Sequence, residues 1–557
     1  MQTDQGASWM TLIFRKIAVR RFVRTLFSVQ LHLAENSNSA FTPSPSNQNK
    51  AGIALLFFVV LILLGSASMA RAAPLRRSLS PTTPMFLFQV QQPDASDPQT
   101  CINAVPADVR PYTVMMYCMG AQNGDQTNGY AFADYFCNVA QQNGVWCMFQ
   151  CASGYANSMA NTNTADYERL FQKYPNLVGF AFAEQNWGFG SVTVSSAFGP
   201  STFPDRMDLF TQLLPICNQY GCFLYSSEMQ SFGGNKGYNM ISKLRNYPGF
   251  RNATVNYLTN FIVGDKTTQG SAFYDNESCT LGTFLSGHAG FYASRCDETA
   301  WGSCGYSQLY GLKNPAVTNG NTGFTMPEAV HGMFIAEHFL LQGATVIDGP
   351  EYPMYSTINA GRLMPCYTNT TCDVFRKVLD GTIKIPERAT VLSNTPLVYV
   401  TDSASFVDNY ETPGGFYDGL YAMPGNQSWL KSSGRYASIP ETFTNAAYEM
   451  SFFKTNVLQS QFNTRWPTLA AKTNEFNSYY PAEYSTTNGP FFAARRENRW
   501  FTYNPWINSN ITTSASIPLQ YNTCTNLYLQ YAPQTFAVIT ESNQSLQIYF
   551  NNYFTDK

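Results

Sequence analysis

The 557-residue sequence has little charge and very little histidine. Charged residues make up 13% of the chain, about half the share in an ordinary globular protein, and there are four histidines. The net charge of −2 and the lack of a basic block beyond residue 74 argue against nucleic acid as a partner. Four histidines leave little room for a histidine metal site or a Ser-His-Asp triad, so we expect no metal and no cofactor.

The sequence also lacks the short motifs of several common enzyme classes. No G-x-S-x-G is present, so a serine-hydrolase nucleophile elbow is not indicated. No H-E-x-x-H is present either, and we interpret His331 and His338 as packing or surface residues rather than metal ligands. The glycines within residues 233–237 lack the spacing of a phosphate-binding loop.

Aromatic residues, in contrast, are abundant at 15% of the chain. Such an excess of Tyr, Phe and Trp is typical of proteins that stack on sugar rings or that pack a β-rich domain. The length is too great for one ordinary domain, so we expect two folded units after an N-terminal extension.

The N-terminal extension carries an export signal. Residues 1–50 form a basic and polar leader, and residues 51–74 contain an unbroken apolar run, Ile53 to Leu64. Small residues follow this run, and Ala70-Arg71-Ala72 fits the A-x-A cleavage pattern. Two interpretations remain open: a signal peptide that is removed, and a signal anchor that stays as a single membrane span. Both predict that the remaining chain is secreted, or is held at the membrane with its domains outside the cell.

The cysteines and the glycosylation sequons agree with export. In an exported chain, 13 cysteines favour disulfide bonds over metal thiolates, and we interpret Cys147 and Cys151 as disulfide partners rather than nucleophiles. Three pairs are close enough in sequence to close local loops: Cys217/Cys222, Cys296/Cys304 and Cys366/Cys372. Six N-x-[ST] sequons predict a glycoprotein, at Asn252, Asn276, Asn369, Asn426, Asn510 and Asn543.

Alternating strand and helix patterns predict an α/β fold, a (β/α)8 TIM-type barrel, over residues 108–405. Before it, residues 75–107 are predicted as a linker with one strand, Met85 to Val90. A doubly wound open sheet is the alternative, and the barrel is favoured because no G-x-G-x-x-G follows any predicted strand. The predicted strands include 113–117, 145–150, 177–182, 222–225, 261–263, 282–286 and 344–347.

The pattern changes near residue 406. Residues 406–557 lose the long helical periods and show short β-type runs, which predicts a β-sandwich domain. The sequence ends soon after a predicted strand, so we expect this domain to be shortened.

The most informative stretch is YPNLVGFAFAEQNWGFG, residues 174–190. Its apolar run, Leu177 to Phe182, suits a strand buried on both faces, and Glu184 and Trp187 follow it. The carboxyl ends of parallel strands are where α/β barrels place their chemistry. A carboxyl group beside an indole has a raised pKa, which makes Glu184 a candidate proton donor near neutral pH. The alternative is that Glu184 caps a following helix.

Further carboxylates lie near predicted strand ends, beside aromatic residues. Glu228 and Glu351 come just after predicted strands, and Asp297 lies shortly before Trp301. Hydrolysis of a glycosidic bond needs a protonated carboxyl for the leaving oxygen and an ionised carboxylate on the other face of the sugar. Acidic residues at several strand ends of a barrel therefore favour a glycosidase, and we interpret Glu228 as a structural residue.

Motifs that occur in a fixed order link the sequence to a known family. They are the 174–190 stretch, Lys266 with ESCTLGTFLSG (277–287), Phe291 to Trp301, GATVIDGPEYPMY (343–355), DGLY (418–421), GRYASIP (434–440) and NYFTDK (552–557). In this order they resemble glycoside hydrolase family 98, the endo-β-galactosidases that cut blood-group-type glycans. The resemblance extends from about residue 85 to residue 557.

The resemblance implies an inverting glycoside hydrolase that cleaves an internal galactosidic bond in an oligosaccharide or polysaccharide. It implies that Glu184 is the general acid and that Asp297 and Glu351 together polarise the attacking water. We expect about 6.5–9.5 Å between the acid and base carboxyl groups. The residues implied to contact substrate are Trp187, Tyr225, Lys266 and Trp301.

The sequence departs from the family pattern at several places. Phe291-Tyr292 stands where the family usually has Trp-Gly, and Phe554 stands where it has Arg. Glu351 follows an Asp348-Gly349-Pro350 turn. The exact substrate therefore stays open among a fucosylated galactoside, a xylan-type polymer and another surface glycan.

Two other functions stay open beside the enzyme. A non-catalytic carbohydrate-binding surface glycoprotein would keep the barrel without turnover, but its three carboxylates would tolerate amides, and none has become one. A secreted structural glycoprotein would explain the sequons and cysteines but not the ordered motifs.

Overall fold

The computed structural model describes much of the chain from Ala73 onward. The described residues are 73–90, 98–118, 129–153, 156–157, 164–183, 206–228, 240–266, 273–295, 339–349, 363, 366–402, 439–443, 455–479, 485–486, 489–490, 492–496, 498–504, 513–532 and 535–552. The leader and the apolar run of the predicted signal segment lie outside them. Within the described ranges, no helix is both long enough and apolar enough to span a membrane.

Eight parallel strands form a closed barrel. Their bounds are β1 Met85–Val90, β2 Thr113–Cys118, β3 Trp146–Ser153, β5 Leu177–Ala183, β6 Phe223–Glu228, β7 Phe261–Lys266, β8 Phe291–Arg295 and β9 Val346–Asp348. The order around the ring is β1-β9-β8-β7-β6-β5-β3-β2, and β2 pairs with both β1 and β3. The two-residue strand β4, Ala156–Asn157, pairs antiparallel with β3. The predicted barrel is confirmed, and the open-sheet alternative is wrong.

β1 starts the barrel earlier than the sequence predicted. The strand lies at the predicted residues, but it pairs in parallel with β2 and β9 instead of lying in a linker. All six of its residues are buried, because Met85 and Leu87 pack in the barrel interior while Phe86 and Phe88 pack in the outer core. The segment 75–107 therefore contributes a barrel strand.

Helices cover the outside of the barrel. Those described are α1 Pro98–Ala104, α2 Gly129–Gln142, α3 Thr164–Lys173, α4 Arg206–Tyr220, α5 Met240–Asn246, α6 Pro248–Asn256 and α7 Phe273–Leu285. On α3 the buried residues Tyr167, Leu170 and Phe171 recur at intervals of three and four, which gives the helix one apolar face. Residues 282–285 belong to α7, so the strand predicted at 282–286 is wrong. A short apolar run suits either element, and its length alone did not separate them.

Short helical segments lie within the barrel and between the barrel and a second domain. The 3₁₀ turns Arg110–Tyr112, Leu258–Asn260 and Leu340–Gln342 precede β2, β7 and β9. The π-helical segment Cys366–Thr371, α8 Cys372–Leu379 and α9 Arg388–Asn394 lie between β9 and the second domain. β10 Val398–Thr401 lies within the residue range predicted for the barrel, but it pairs with β11 Glu441–Phe443 and β12 Asn456–Leu458 in a separate parallel sheet.

The second domain is rich in β-structure. After β12 it contains α10 Phe462–Arg465, α11 Leu469–Tyr479, β13 Ser485–Thr486, β14 Gly489–Pro490, β15 Phe492–Arg496, β16 Arg499–Asn504, β17 Thr513–Pro518, β18 Asn526–Tyr531, β19 Thr535–Ser542 and β20 Ser545–Asn552. β15, β16, β19 and β20 form an antiparallel sheet, and β17 pairs with β18. Ile517 and Leu529 of that pair share a core with Trp500 and Ile539 of the larger sheet. Two sheets that face one core confirm the predicted β-domain.

The cysteines of the described ranges correct the disulfide prediction. Cys217 and Cys222, which were predicted to close a local loop, are both buried thiols, and so are Cys147 and Cys372. Burial raises the pKa of the Cys222 thiol to about 12. A neutral buried thiol packs as a small apolar side chain, and here such packing takes the place of the predicted bonds. The predicted pair Cys296/Cys304 lies outside the described residues.

Candidate active site

The three predicted catalytic carboxylates follow three strands at the same end of the barrel. Glu184 comes directly after β5, Asp297 two residues after β8 and Glu351 three residues after β9. These three residues lie outside the described ranges, as do Trp187 and Trp301. Because all eight strands are parallel, their carboxyl ends form one rim. The ends of the three strands that precede these carboxylates therefore lie at that rim.

The strand order divides these points into two sides. β8 and β9 are direct neighbours, with Ser294 paired to Ile347 and Arg295 paired to Asp348. β5 lies three positions farther round the ring, beyond β7 and β6. Asp297 and Glu351 thus follow adjacent strands, whereas Glu184 follows a more distant one.

The inner face of the barrel becomes polar toward this rim. Farther from the rim it is lined by apolar residues such as Leu87, Met116 and Ile262. Polar side chains that are at most 2% exposed follow two or four residues beyond inward-facing apolar residues, so strand alternation places them inward as well. They are Gln89, Gln150, Ser227, Lys266, Arg295 and Asp348. A buried polar layer therefore underlies the rim.

Asp348 is the centre of this layer. The side-chain amide of Gln89 donates to its Oδ1 at 2.6 Å, and the hydroxyl of Tyr225 donates to its Oδ2 at 3.0 Å. The Nη1 of Arg295 lies 3.6 Å from the same Oδ2, and its Nη2 donates to the Oε1 of Gln89 at 3.4 Å. Since both oxygens have hydrogen-bond donors and a cation lies nearby, the carboxylate is compensated for its complete burial.

The buried environment around Asp348 shifts the pKa of its own carboxyl group and that of the Tyr225 phenol. Burial raises the pKa of its carboxyl group, and Arg295, Tyr225 and Gln89 oppose that rise. Burial also raises the pKa of the Tyr225 phenol well above its ordinary value, and the negative charge of Asp348 adds to that rise. The phenol therefore keeps its proton and serves as a hydrogen-bond donor.

Tyr225 reaches Asp348 across a glycine of the next strand. A Cβ atom on Gly264 of β7 would lie 2.7 Å from the Tyr225 hydroxyl oxygen, 2.8 Å from its Cε2 and 3.1 Å from the Cβ of Ala293. A real Cβ atom almost never lies within 3.0 Å of another residue's heavy atom, so a side chain at Gly264 would displace the phenol ring. The absence of a side chain there makes the space in which Tyr225 lies.

Of the four predicted substrate contacts, the described ranges include Tyr225 and Lys266. Tyr225 is fully buried below the polar layer, with its hydroxyl on Asp348. Lys266 ends β7 within that layer, is 2% exposed and lowers the pKa of Asp348 through its charge. Substrate contact stays a prediction for both. Glu228 ends β6 at the same rim.

Two family models match the chain. Glycosyl hydrolase family 98 matches residues 73–386, and the glycosyl hydrolase family 98 C-terminal domain matches residues 388–557. The chain belongs to glycosyl hydrolase family 98. The predicted family is confirmed over both domains.

Family 98 relatives are also similar over long alignments. The chain is 26% identical over 479 residues to the blood-group-substance endo-1,4-beta-galactosidase of Clostridium perfringens, an alignment that covers 81% of the chain and 55% of that relative. The chain thus spans little more than half the length of the curated relative that it matches.

Solved structures of the family share the fold. The native catalytic module of a family 98 glycoside hydrolase from Streptococcus pneumoniae TIGR4 matches with a TM-score of 0.66 at 20% identity, covering 87% of this chain and 83% of that one. The same module in complex with the LewisY pentasaccharide blood group antigen matches with a TM-score of 0.65 at 20% identity and equal coverage. Both likenesses extend over most of this family 98 chain.

Sequence reasoning missed the polar layer of this family 98 barrel. Gln89, Arg295 and Asp348 each belong to strands that read as apolar runs, and each was left without a role. Strand alternation could have identified them, because each lies two residues beyond an inward-facing apolar residue and so faces inward as well. In the described ranges, no group of three His, Cys, Asp or Glu side chains is arranged to hold a metal ion.

Proposed function

We propose that this family 98 chain is a glycoside hydrolase that cleaves an internal β-galactosidic bond with inversion at the anomeric carbon. Glu184 is the general acid, and Asp297 and Glu351 together polarise the attacking water. The observation that carries the proposal is the strand order β9-β8-β7-β6-β5. It attaches the two base carboxylates to adjacent strands and the acid to a strand three positions away.

This separation suits inversion better than a compact pair would. Neighbouring strands lie about 4.8 Å apart, so three spacings amount to about 14 Å along the barrel wall. An inverting enzyme needs about 6.5–9.5 Å between its carboxyl groups, because a water molecule must fit beside the sugar. Three strand spacings leave room for the sugar ring and the water between acid and base.

A galactose-containing glycan is the substrate class that we propose. The support is the name of the Clostridium perfringens relative and the LewisY pentasaccharide solved with the Streptococcus pneumoniae module. Trp187 and Trp301 stack on sugar rings, since indole faces bind the apolar side of a sugar. Substrate contact by Lys266 stays a prediction, since its side chain lies in the buried polar layer and is 2% exposed.

Activity measurements on variants test the assignment of the catalytic residues. The wild type and its Glu184→Gln, Asp297→Asn and Glu351→Gln variants are incubated with blood-group A, B and H oligosaccharides and with arabinoxylan. We expect the wild type to release product from a galactose-containing glycan and each amide variant to lose at least about 100-fold in rate, since each lost group acts on the reacting atoms. Proton NMR at early times identifies the anomer released, and inversion predicts the α-anomer from a β-linkage.

A matched control and an opposing result complete this test. Glu387 is an exposed carboxylate before α9 that makes no side-chain cap hydrogen bond, so Glu387→Gln should keep full activity. If the wild type binds these glycans but cleaves none, the chain is a carbohydrate-binding protein and the catalytic assignment is wrong. If β-anomer is released first, the mechanism retains configuration instead.

We also propose that the chain is exported and glycosylated. The support is the apolar run before residue 73 and two sequon asparagines on exposed positions, Asn252 in α6 and Asn543 between β19 and β20. In a secreting eukaryotic cell, we expect a mature N-terminus at Ala73 and a glycan on Asn543, which mass spectrometry measures. Retention at the membrane with residues 51–72 intact would favour the anchor, and an unglycosylated cytosolic chain would contradict export.

A further inference from the structure

The carboxylate of Asp348 joins four strands of the barrel. It belongs to β9, and it is contacted by Gln89 from β1, Tyr225 from β6 and Arg295 from β8. All four side chains are at most 1% exposed. Because both carboxylate oxygens are engaged, the side chain is held in one orientation.

These contacts matter most for β9, which has three residues, Val346–Asp348. It pairs over three residues with β1 on one side and over three with β8 on the other. A strand this short has few backbone hydrogen bonds to define its last residue. The side chain of Asp348 adds fixed contacts to both neighbours at the residue where β9 ends.

Two of the four strands that Asp348 joins, β8 and β9, lead to the proposed base carboxylates. Arg295 is the last residue of β8, two residues before Asp297, and Asp348 is the last residue of β9, three residues before Glu351. We propose that Asp348 is a positioning residue: held by Tyr225, Gln89 and Arg295, it sets the points from which the chain runs to Asp297 and Glu351. This inference rests on the proposed function, since it assigns Asp348 to the same reaction.

Tyr225 takes a different role under this proposal from the substrate contact that the family resemblance implied. A substrate contact would have its hydroxyl free to reach a sugar, but the hydroxyl is buried and donates to Asp348. Tyr225 therefore acts on the reaction through Asp348. The two roles predict opposite kinetic effects, because loss of a substrate contact mainly raises KM whereas loss of positioning mainly lowers kcat.

Tyr225→Phe and Asp348→Asn separate these roles. We expect Tyr225→Phe to lower kcat on the order of 10-fold and Asp348→Asn on the order of 100-fold, because small misplacements of catalytic groups cost rates of that size. KM should stay within about twofold of the wild-type value for both variants. Rates are measured well below the unfolding temperature of each variant, which circular dichroism establishes.

Tyr117→Phe is the matched control. Tyr117 of β2 is equally buried, but it packs on the outer side of the barrel against Phe136 with ring centroids 4.6 Å apart. Its substitution removes a buried hydroxyl from the outer side of a strand that lies two positions from β9, and kcat should not change. A kcat loss equal to that of Tyr225→Phe would assign the effect to general barrel stability. A raised KM with unchanged kcat in Tyr225→Phe would make Tyr225 a substrate contact. Either result overturns the proposal.

Hydrogen exchange gives a readout that does not need activity. Peptides that contain the last residues of β8 and β9 should exchange faster in Tyr225→Phe than in the wild type, while those of β2 and β3 should not change. Unchanged exchange at β8 and β9 would show that the tie does not hold these strand ends. If the wild type cleaves no glycan, the proposed function fails while exchange still tests the tie. If the wild type cleaves and kcat is unchanged in both variants, the positioning role alone fails.

Discussion

The barrel interior depends on single residues whose size matters as much as their chemistry. Gly264 faces the ring of Tyr225, and no other residue type leaves that space. The phenol in turn reaches Asp348, so a change at Gly264 acts on the polar layer without touching a polar group. Packing and electrostatics are therefore coupled at this position.

Gly264→Ala should destabilise the barrel. The added methyl group would lie within 3.1 Å of Tyr225 and of Ala293, and the phenol cannot turn away without losing Asp348. We expect the free energy of unfolding to fall by about 1–3 kcal/mol, the usual cost of overpacking a core. Chemical denaturation monitored by circular dichroism measures it.

Gly249→Ala is the control for that substitution. Gly249 lies in α6, where the nearest atom to an added Cβ is Cγ2 of Thr211 at 3.9 Å, an ordinary contact. Alanine favours a helix over glycine by up to about 1 kcal/mol, so this variant should be as stable as the wild type or slightly more stable. Equal destabilisation by both substitutions would contradict the packing argument at Gly264.

The residue types of the site could be predicted, but the direction in which each side chain faces in the barrel could not. Tyr225 lies near a strand end, and the family resemblance implied that it contacts substrate. Whether its side chain faces the interior, the helices or the substrate depends on how the strands close into a ring, and the pairing of β1 with β9 decides that over a long sequence distance. Short-range sequence patterns do not determine how the barrel closes.

At the scale of elements, strand prediction succeeded where a run was buried on both faces. β5 was predicted from its apolar residues, and it is fully buried. α7 contains a similar run at 281–285, but there the buried residues lie on a helix that packs against β11 of the second domain. Tertiary contact with a distant strand, rather than local preference, decided that element.

Gly282 is the point of closest approach between α7 and β11. A Cβ atom at Gly282 would overlap the carbonyl oxygen of Glu441 and would lie 2.7 Å from its backbone nitrogen. Gly282→Ala should therefore force the second domain away from the barrel, because backbone atoms cannot turn aside as a side chain can. We expect a loss of at least about 3 kcal/mol of stability, the upper part of the range for overpacking.

Differential scanning calorimetry tests this contact between the domains. If α7 and β11 couple the two domains, Gly282→Ala should lower the unfolding temperature and should separate the unfolding of the barrel from that of the β-rich domain. Gly249→Ala again provides a helical glycine with space around it. A single transition at the wild-type temperature in Gly282→Ala would show that the packing adjusts without cost.

At the scale of the whole molecule, the order of the motifs was more informative than any single one. Residues 174–190, 343–355 and 552–557 are far apart in sequence, yet together they indicated one family, and family models match both domains. The closed ring explains why the order matters: the strand ends that precede the predicted carboxylates share one rim only when strands from residue 85 to residue 348 complete the barrel. Distances within the site depend on that closure and were beyond the reach of the sequence.

The opposite end of the barrel is closed by the segment directly before β1. Leu75 and Leu79 pack against the barrel interior. The guanidinium of Arg76 donates to the carbonyl oxygens of Phe171, Tyr174, Leu177 and Tyr220 at 2.6 to 3.0 Å. Phe171 and Tyr220 lie in the last turns of α3 and α4, where helix carbonyl groups lack partners within the helix. The Arg76 side chain thus donates hydrogen bonds to carbonyl groups at the ends of two helices and at the start of β5.

Arg76→Ala should therefore weaken the barrel as a whole. It leaves four carbonyl groups without their charged donor, and we expect a loss of about 3 kcal/mol, since single hydrogen bonds to charged groups contribute about 1.5–3 kcal/mol. Arg76→Lys should recover only part of this loss, because an ammonium group lacks the planar fork that reaches several acceptors.

Arg169→Ala is the control, since Arg169 is 62% exposed and pairs only with Asp166 on the surface of α3 among the described salt bridges. Equal unfolding temperatures for Arg76→Ala and Arg169→Ala would show that the segment before β1 is not part of the stable barrel. A specific loss in Arg76→Ala would show that the segment directly before β1 is part of the stable barrel.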